Sequence, residues 1–353
     1  MTQLHLNDEL ARYQRQIIFS GLGVEGQRKL LHSRVAIVGC GATGSSLANL
    51  LARAGVGFLR LIDRDFVEMN NLHRQMLYDE RDVAEGMPKA AAAARRLHAI
   101  NSDIELDPQV TDFNPGNALA LTQDVDLILD GTDNFETRYL INDVALELGI
   151  PWVYTGVVAS YGMTTTLIPD AAAEKVGREA TPCLQCIMGP EPPTGGPTCD
   201  TAGVIGPIVS LMASISASEA IKLLTGKGEI NRGMITVDLW DNTFEQFGIA
   251  GRNPDCPACG KGERRFLNAE VGSRTAVLCG RNAVQISNPG ARVSLPEIAK
   301  RLEPLGRVEV NDYLLRAHID GYEITLFPDG RAIIKGTEDP DLAKSLYARY
   351  IGA

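Results

Sequence analysis

The chain has 353 residues, 44% of them apolar and 22% charged, and 34 Lys and Arg against 44 Asp and Glu leave a net charge of −10. That length predicts one large domain with a smaller one, or two of similar size, and the composition excludes wholesale disorder, collagen and a disulfide-dense mini-protein. The acidic balance gives no global pull toward nucleic acid or an anionic membrane.

Residues 1–16 are polar and lack the apolar core of a signal peptide. Residues 10–31 predict helix, broken near Gly21 and Gly23. A β-branched strand at 35–38 leads into Gly39-Cys40-Gly41-Ala42-Thr43-Gly44, then a helix at 45–54 closed by Gly55 and Gly57. A second strand spans 58–62 and ends at Asp63. An Ala-rich helix covers 89–100, and DVDLILD at 124–130 is a buried strand before the turn GTDN and a helix to about 148. This alternation predicts an α/β fold: a Rossmann-like, doubly wound parallel sheet with helices on both faces.

Two strands follow, near 152–158 and 162–168. Residues 170–200, rich in Ala, Gly and Pro, read as a mobile loop. A long helix at 206–224 and a strand at 233–239 complete the pattern. Residues 149–169 and 201–218 lack charge, but Gly, Pro, Ser and Thr dilute both, so no membrane span is expected, and a cytoplasmic setting is. From about 265 the text becomes strand-rich, with helices near 295–302 and 340–350 and a hairpin signal at PDG, 328–330. The expected domains are 1–264 and a small C-terminal α+β domain, 265–353.

The glycine motif lies where a nucleotide-binding turn needs it, after a strand and opening a helix. Asp63 stands about twenty residues on, where an acid can hold ribose hydroxyls. Beyond it come Asn71, Arg74 and Gln75, then Lys89, and Asp133 sits at the carboxyl edge of the next strand. Separated cations with a carboxylate suit a triphosphate with magnesium better than a nicotinamide dinucleotide. Aromatic residues are scattered, with no stacking series for single-stranded nucleic acid.

Seven cysteines are present, four of them in the pairs Cys183-x-x-Cys186 and Cys256-x-x-Cys259. Four thiolates suit tetrahedral zinc, although Cys-x-x-Cys is also a redox spacing. Cys199 stands apart near a helix start, where a thiolate is favoured. Cys40 and Cys279 read as structural. His5, His32, His73, His98 and His318 show no paired metal spacing.

Taken together and in order, RYQRQI (12–17), the glycine motif, DRDFVEMNNLHRQ (63–75), PKA (88–90), DGTDNFETR (130–138), PCLQC, TCDTAGVIGP (198–207), EAIKLL and CPAC resemble the ThiF/MoeB/HesA adenylyltransferases, relatives of ubiquitin-activating enzymes. The resemblance spans about 12–260 and looks closer to the thiamin branch than to the molybdopterin branch. It implies that Gly39, Gly41, Ala42 and Gly44 shape the phosphate turn and that Asp63 binds ribose. By the same resemblance Asp65 and Asn134 would belong to the nucleotide site. Asn71, Arg74, Gln75 and Lys89 would face the phosphates of ATP, and Asp133 would hold magnesium. Arg15 would cross a homodimer interface into the partner's site. The two Cys pairs would share one zinc, and Cys199 matches a cysteine able to attack the adenylate. The implied substrate is a ubiquitin-like sulfur carrier ending Gly-Gly, ThiS-like or, alternatively, MoaD-like or of another pathway, with a cysteine desulfurase as sulfur source. The last ninety residues look like an extension of some bacterial members, for which carrier docking is one expectation. The rivals are an NAD-dependent oxidoreductase and a non-catalytic zinc scaffold.

Overall fold

The structure, a computed structural model, describes residues 8–193, 199–269, 274–278, 282–287 and 293–352. Eight strands form one sheet: β1 (Arg34–Val38), β2 (Phe58–Ile62), β3 (Glu105–Gln109), β4 (Leu127–Asp130), β5 (Trp152–Val158), β6 (Tyr161–Leu167), β7 (Gly233–Asp238) and β8 (Thr243–Gly248). Their order is β3-β2-β1-β4-β5-β6-β7-β8. The first five are parallel, and β5 to β8 run as antiparallel neighbours. The strands alternate between two cores: Val35 and Ile37 of β1 enter one, and Ala36 and Val38 enter the other. Because both faces are covered, β1 from Val35 and β4 up to Leu129 read as apolar runs.

Eleven helices lie in this part of the chain among the described residues: α1 (Asp8–Ala11), α2 (Gln14–Ile18), α3 (Gly23–His32), α4 (Ala42–Ala54), α5 (Glu80–Ala84), α6 (Lys89–Ile100), α7 (Phe135–Leu148), α8 (Asp170–Val176), α9 (Leu184–Met188), α10 (Cys199–Ala202) and α11 (Gly206–Thr225). Leu47 and Leu51 of α4, Ala93 and Leu97 of α6, and Ala217 and Leu223 of α11 fill the first core. Tyr139, Ile141 and Val144 of α7 and Leu184 of α9 fill the second. α11 is long and apolar enough to cross a membrane, yet it is the central core helix, packed against α4, β5 and β6. Its Ser216 hydroxyl is satisfied by Thr155 at 2.8 Å and Thr164 at 2.9 Å, so that group is not left unpaired in the core.

Three sequence expectations change. The segment expected as a loop at 170–200 holds α8, α9 and α10. Pro169 starts α8, its Ala run sustains it, and Gly177 at φ +64° ends it, a stop that glycine permits. The N-terminal helix is broken earlier as well, between α1 and α2, and Gly23 turns at φ +67°. The sheet also gains β3 and β8, which lacked apolar alternation: β3 reads ELDPQ, and every residue of β8 is exposed.

The chain divides into two compact units, Met1–Ala269 and Glu270–Ala353. Among its described residues the second has six antiparallel strands: β9 (Arg274–Leu278), β10 (Ala283–Ser287), β11 (Arg307–Val310), β12 (Leu315–Ile319), β13 (Tyr322–Leu326) and β14 (Ala332–Lys335). They are ordered β11-β12-β13-β14-β10-β9. The helices α12 (Leu295–Leu302) and α13 (Pro340–Tyr350) bring Ile298, Leu302, Leu346 and Tyr347 into one core with Val284, Leu315, Ile324 and Ile334. The expected turn at 328–330 joins β13 to β14, with Gly330 at φ +77° and its carbonyl accepting the Tyr347 hydroxyl at 2.6 Å. Cys279 and His5 lie outside the described residues.

Candidate active site

The switch point of the sheet falls between β1 and β4, where chains leave toward opposite faces and ligands of such sheets bind. Here three glycine backbones meet. A Cβ on Gly44 would lie 1.8 Å from the Gly39 carbonyl oxygen, and one on Gly131 only 2.3 Å from that oxygen. Gly39 itself sits at φ +87°. These three positions are closed to a side chain by the protein itself. Gly41 differs: a Cβ there would meet only Gln75 Nε2, at 3.9 Å. The space beside it is free, at the N-terminus of the 13-residue helix α4, which has no side-chain cap. First-turn amides of a helix lack intrahelical partners and suit phosphate. Ala42 opens this helix, and its carbonyl accepts the Ser45 and Ser46 hydroxyls.

Asp63 ends β2 and is oriented by two backbone amides. Its Oδ2 accepts Cys40 N–H and its Oδ1 accepts Asp65 N–H, each at 2.7 Å. Burial pushes its carboxyl above the usual range, against the opposing pull of Lys89. Lys89, only 5% exposed, starts α6 and pairs through Nζ with Asp65 Oδ2 at 3.3 Å. Their backbones also join, Lys89 N–H to Asp65 carbonyl at 2.8 Å. The buried Tyr78 hydroxyl donates between the carbonyls of Cys40 (2.6 Å) and Lys89 (3.2 Å), tying the glycine turn to the lysine helix.

Asn71 closes a single 3-10 turn, where its Oδ1 accepts the Glu68 amide at 3.2 Å. Arg74, half-buried, donates to the Asn70 carbonyl at 2.8 Å. Gln75 is buried, and its Oε1 has no hydrogen-bond partner among the described residues. A buried orphan acceptor asks for a donor from a ligand or water. α11 begins beside this segment, since a Cβ on Gly206 would lie 3.0 Å from the His73 carbonyl oxygen.

On the β4 side, Asp133 is exposed and makes no hydrogen bond or ion pair with a described residue. Its neighbour Asn134 caps α7 through Oδ1, which accepts Thr137 N–H at 2.8 Å. Behind the turn Asp130 and Arg138 form a buried ion pair at 3.0 Å. Arg64, which stands between the two acid edges, pairs with Asp112 at 3.1 Å and also feels Asp65, Asp133 and Asp63.

The four predicted cysteines converge on the outer side of α7. The sulfur separations are 3.6 Å for Cys183–Cys256, 3.4 Å for Cys186–Cys259 and 3.9 Å for Cys183–Cys186, and all four lie within 4.8 Å of one another. Zinc–sulfur bonds of about 2.3 Å in a tetrahedron require sulfurs about 3.8 Å apart, so the set fits zinc. Burial pushes the Cys183 thiol well up and the Cys186 thiol up to about 11. Burial also pushes on Cys256, but the amides of Cys259 and Ala258 and the neighbouring thiols bring it below its ordinary value. The cluster is tied to α7, because Asn142 Oδ1 accepts Leu184 N–H at 2.8 Å. Asp133 immediately precedes Asn134, the N-cap of the same helix.

Cys199 opens α10, which packs against β5, and its side chain lies outside what the structure describes. The chain after it is pinned by two hydrogen bonds, Ala159 N–H to Gly203 carbonyl (2.8 Å) and Ile205 N–H to Ala159 carbonyl (3.0 Å). Arg15 is exposed on α2, joined by hydrogen bond or ion pair to no described residue. It is not among the side chains gathered at the turn.

ATP fits these residues on two observations: the open space at Gly41 and the uncapped helix start. One free carboxylate, Asp133, also fits magnesium, which takes one or two protein carboxylates and completes its shell with phosphates and water. Sequence reading assigned no role to Tyr78, Arg64 or the Asp130–Arg138 pair, although Arg64, Asp130 and Arg138 lie within the quoted motifs at 63–75 and 130–138.

A model of the ThiF family matches residues 13–258. The sulfur carrier protein ThiS adenylyltransferase of Bacillus subtilis is 44% identical over 344 residues, 97% of this chain and 99% of that relative. The sulfur carrier protein adenylyltransferase of Thermus thermophilus is 37% identical over 255 residues, 72% of this chain and 92% of its own. Among solved structures, E. coli MccB with ATP superposes with a TM-score of 0.60 at 24% identity, covering 71% of this chain and 74% of that one. That last likeness shows the shared fold.

Proposed function

The chain belongs to the ThiF family of ATP-using enzymes, and from that premise we propose that it adenylylates the C-terminal glycine of a ThiS-like sulfur carrier. The observation that carries this reading is the glycine turn with oriented Asp63, buried Lys89 and free Asp133 around it, in a chain alignable end to end with a ThiS adenylyltransferase. The rival oxidoreductase gives no use for Lys89 and Asp133.

A carboxylate oxygen of the carrier's last glycine attacks the α-phosphorus of ATP. A new P–O bond forms, the bond from the α-phosphorus to the bridging oxygen breaks, and pyrophosphate leaves with the electron pair. The product is a carrier acyl-adenylate. The attacking carboxylate is already ionised at neutral pH, so no general base is needed. Catalysis is positioning and charge neutralisation. Asp63, fixed by two amides, accepts from ribose hydroxyls. The α4 amides and the space at Gly41 receive phosphate. Lys89, Arg74 and the amides of Asn71 and Gln75 meet phosphate charge. When bound at Asp133, magnesium supplies further neutralisation of the leaving pyrophosphate.

The same reading includes a homodimer, in which the exposed Arg15 reaches the partner's site; Ile18 and Phe19, 56% and 68% exposed, flank it as apolar surface for a partner to cover. It also includes Cys199 as the acceptor of the activated carrier, a cysteine desulfurase as sulfur source, thiazole synthesis as the pathway, and the reducing cytoplasm, where thiols stay available. The test is intact-mass spectrometry of a ThiS-like carrier with the enzyme and magnesium ATP. The expected result is a mass gain of one adenylyl group, AMP less one water, that is absent for a carrier lacking its terminal glycine. An unmodified carrier after many turnover times would contradict the proposal.

A further inference from the structure

Asp130 is completely buried, yet both its oxygens are engaged. Oδ1 accepts the Thr132 amide at 2.9 Å and the Thr132 hydroxyl at 2.7 Å. Oδ2 accepts Arg138 Nε at 3.0 Å and the Thr155 amide at 3.3 Å. Arg138 Nη2 then donates to the carbonyls of Thr132 (2.8 Å) and Thr155 (3.1 Å). The guanidinium also lies near two rings, 5.0 Å from the centroid of Phe135 and 5.2 Å from that of Tyr154. Every polar group of Thr132 is therefore held: amide, hydroxyl and carbonyl. The next residue is Asp133, and the one after is fixed as the cap of α7.

A buried ion pair is a poor device for stability alone, since apolar residues of the same shape often serve as well. Its value lies in register. Arginine supplies a planar fork that reaches the acid from Nε and two carbonyls from Nη2, whereas the three donors of lysine all leave one nitrogen. The pair thus spends two buried charges on one short turn, whose only free acid is the adjoining Asp133.

We propose that Asp130, Thr132 and Arg138 are positioning residues that aim Asp133 at the divalent cation accompanying ATP, and so set the cation affinity of the site. This rests on the reading of Asp133 as a cation ligand. None of the three touches the cation or the substrate. Outer residues of this kind alter metal affinity by about 10–100-fold when removed.

The experiment is a titration of Mn2+ into the full-length protein with a non-hydrolysable ATP analogue, with free Mn2+ read by electron paramagnetic resonance. Thr132→Val keeps the side-chain shape and deletes the donor to Asp130. It should weaken Mn2+ binding about tenfold, while affinity for the analogue in EDTA stays within about twofold of the wild type. Thr132→Ser should restore cation affinity. Arg138→Lys should weaken it at least as much as Thr132→Val; should that variant fail to fold, Thr132→Val decides. Wild-type Mn2+ affinity in Thr132→Val, or in a folded Arg138→Lys, would overturn the proposal. If wild-type protein and Asp133→Asn bind Mn2+ equally, the reading of Asp133 falls, and the clamp with it.

Discussion

At the glycine turn the protein touches itself through backbone, with the Gly39 carbonyl wedged between Gly44 and Gly131. At the cysteine cluster it meets through side chains, four sulfurs brought from segments some seventy residues apart. The turn is complete without a ligand, because its shape is fixed by contacts that exclude any Cβ. The cysteine cluster is different: its sulfurs surround a space of zinc's size, and burial disfavours the thiolates at Cys183 and Cys186 unless a cation is there. One site is made by packing and waits for its substrate. The other is shaped for a metal and is tied to α7, the helix that follows Asp133.

The largest effect should separate the two kinds of glycine within the turn itself. Gly44→Ala places a methyl 1.8 Å from backbone oxygen, which neither partner can avoid without unpacking α4 from β1. Loss of measurable ATP binding and a fall in thermal midpoint of about 10 °C or more are expected, read by calorimetry and thermal melts. Gly41→Ala meets nothing nearer than 3.9 Å. It should melt within about 2 °C of the wild type, yet bind ATP about tenfold more weakly, because the methyl occupies phosphate space. Equal losses of stability in both variants would erase the distinction between a packed and a ligand-facing glycine.

Next in size is metal removal. One zinc per chain is expected by elemental analysis, and Cys259→Ser should lower that content. Chelation at elevated temperature should reduce the thermal midpoint by about 5–10 °C. ATP affinity should change much less than in Gly41→Ala, since the glycine turn does not depend on the cluster. An ATP affinity that collapses with zinc loss would show that the two sites are one cooperative unit.

The smallest effect concerns pH. Burial raises the Asp63 carboxyl above its usual value. A group raised in the folded state contributes its stability fully below the unfolded pKa and loses it as pH rises through the folded value. Asp63→Asn removes that trend. Relative to wild type, the variant should therefore gain stability between acid and neutral pH, by no more than about 3 °C in midpoint, while its ATP affinity falls. A pH-independent difference in midpoint would contradict the raised carboxyl.

The same contrast explains what the residues disclosed in advance. Gly39 to Gly44 and Asp63 were legible as a candidate site because a phosphate turn is local: its strand, glycines and helix start are contiguous, and its acid follows at the end of the next strand; the phosphate-facing role of Lys89 came through the family resemblance. The cysteines were legible as pairs from spacing, but their meeting depends on α7, α9 and the segment at 253–261 folding together. β3 and β8 were missed because neither presents a repeated apolar face: β3 carries Glu105, Asp107 and Pro108, and β8 is exposed throughout. The helices in 170–200 were hidden by their shortness and by flanking Gly and Pro. The Asp130–Arg138 pair was invisible as a pair because an eight-residue spacing crosses from strand to helix and carries no periodic signal. In the second unit, LRAHI at 315–319 became β12, with Ala317 and Ile319 on the core side.

The most direct measurement is ATP–pyrophosphate exchange with purified carriers supplied one at a time. Exchange should appear with a ThiS-like carrier ending Gly-Gly and require that terminal glycine. It should fall at least about a hundredfold in Gly44→Ala, the turn that packing alone preforms. Exchange with a MoaD-like carrier only would keep the chemistry and refute the assigned partner. No exchange with any carrier, in folded protein that retains zinc, would contradict the assignment of adenylylation.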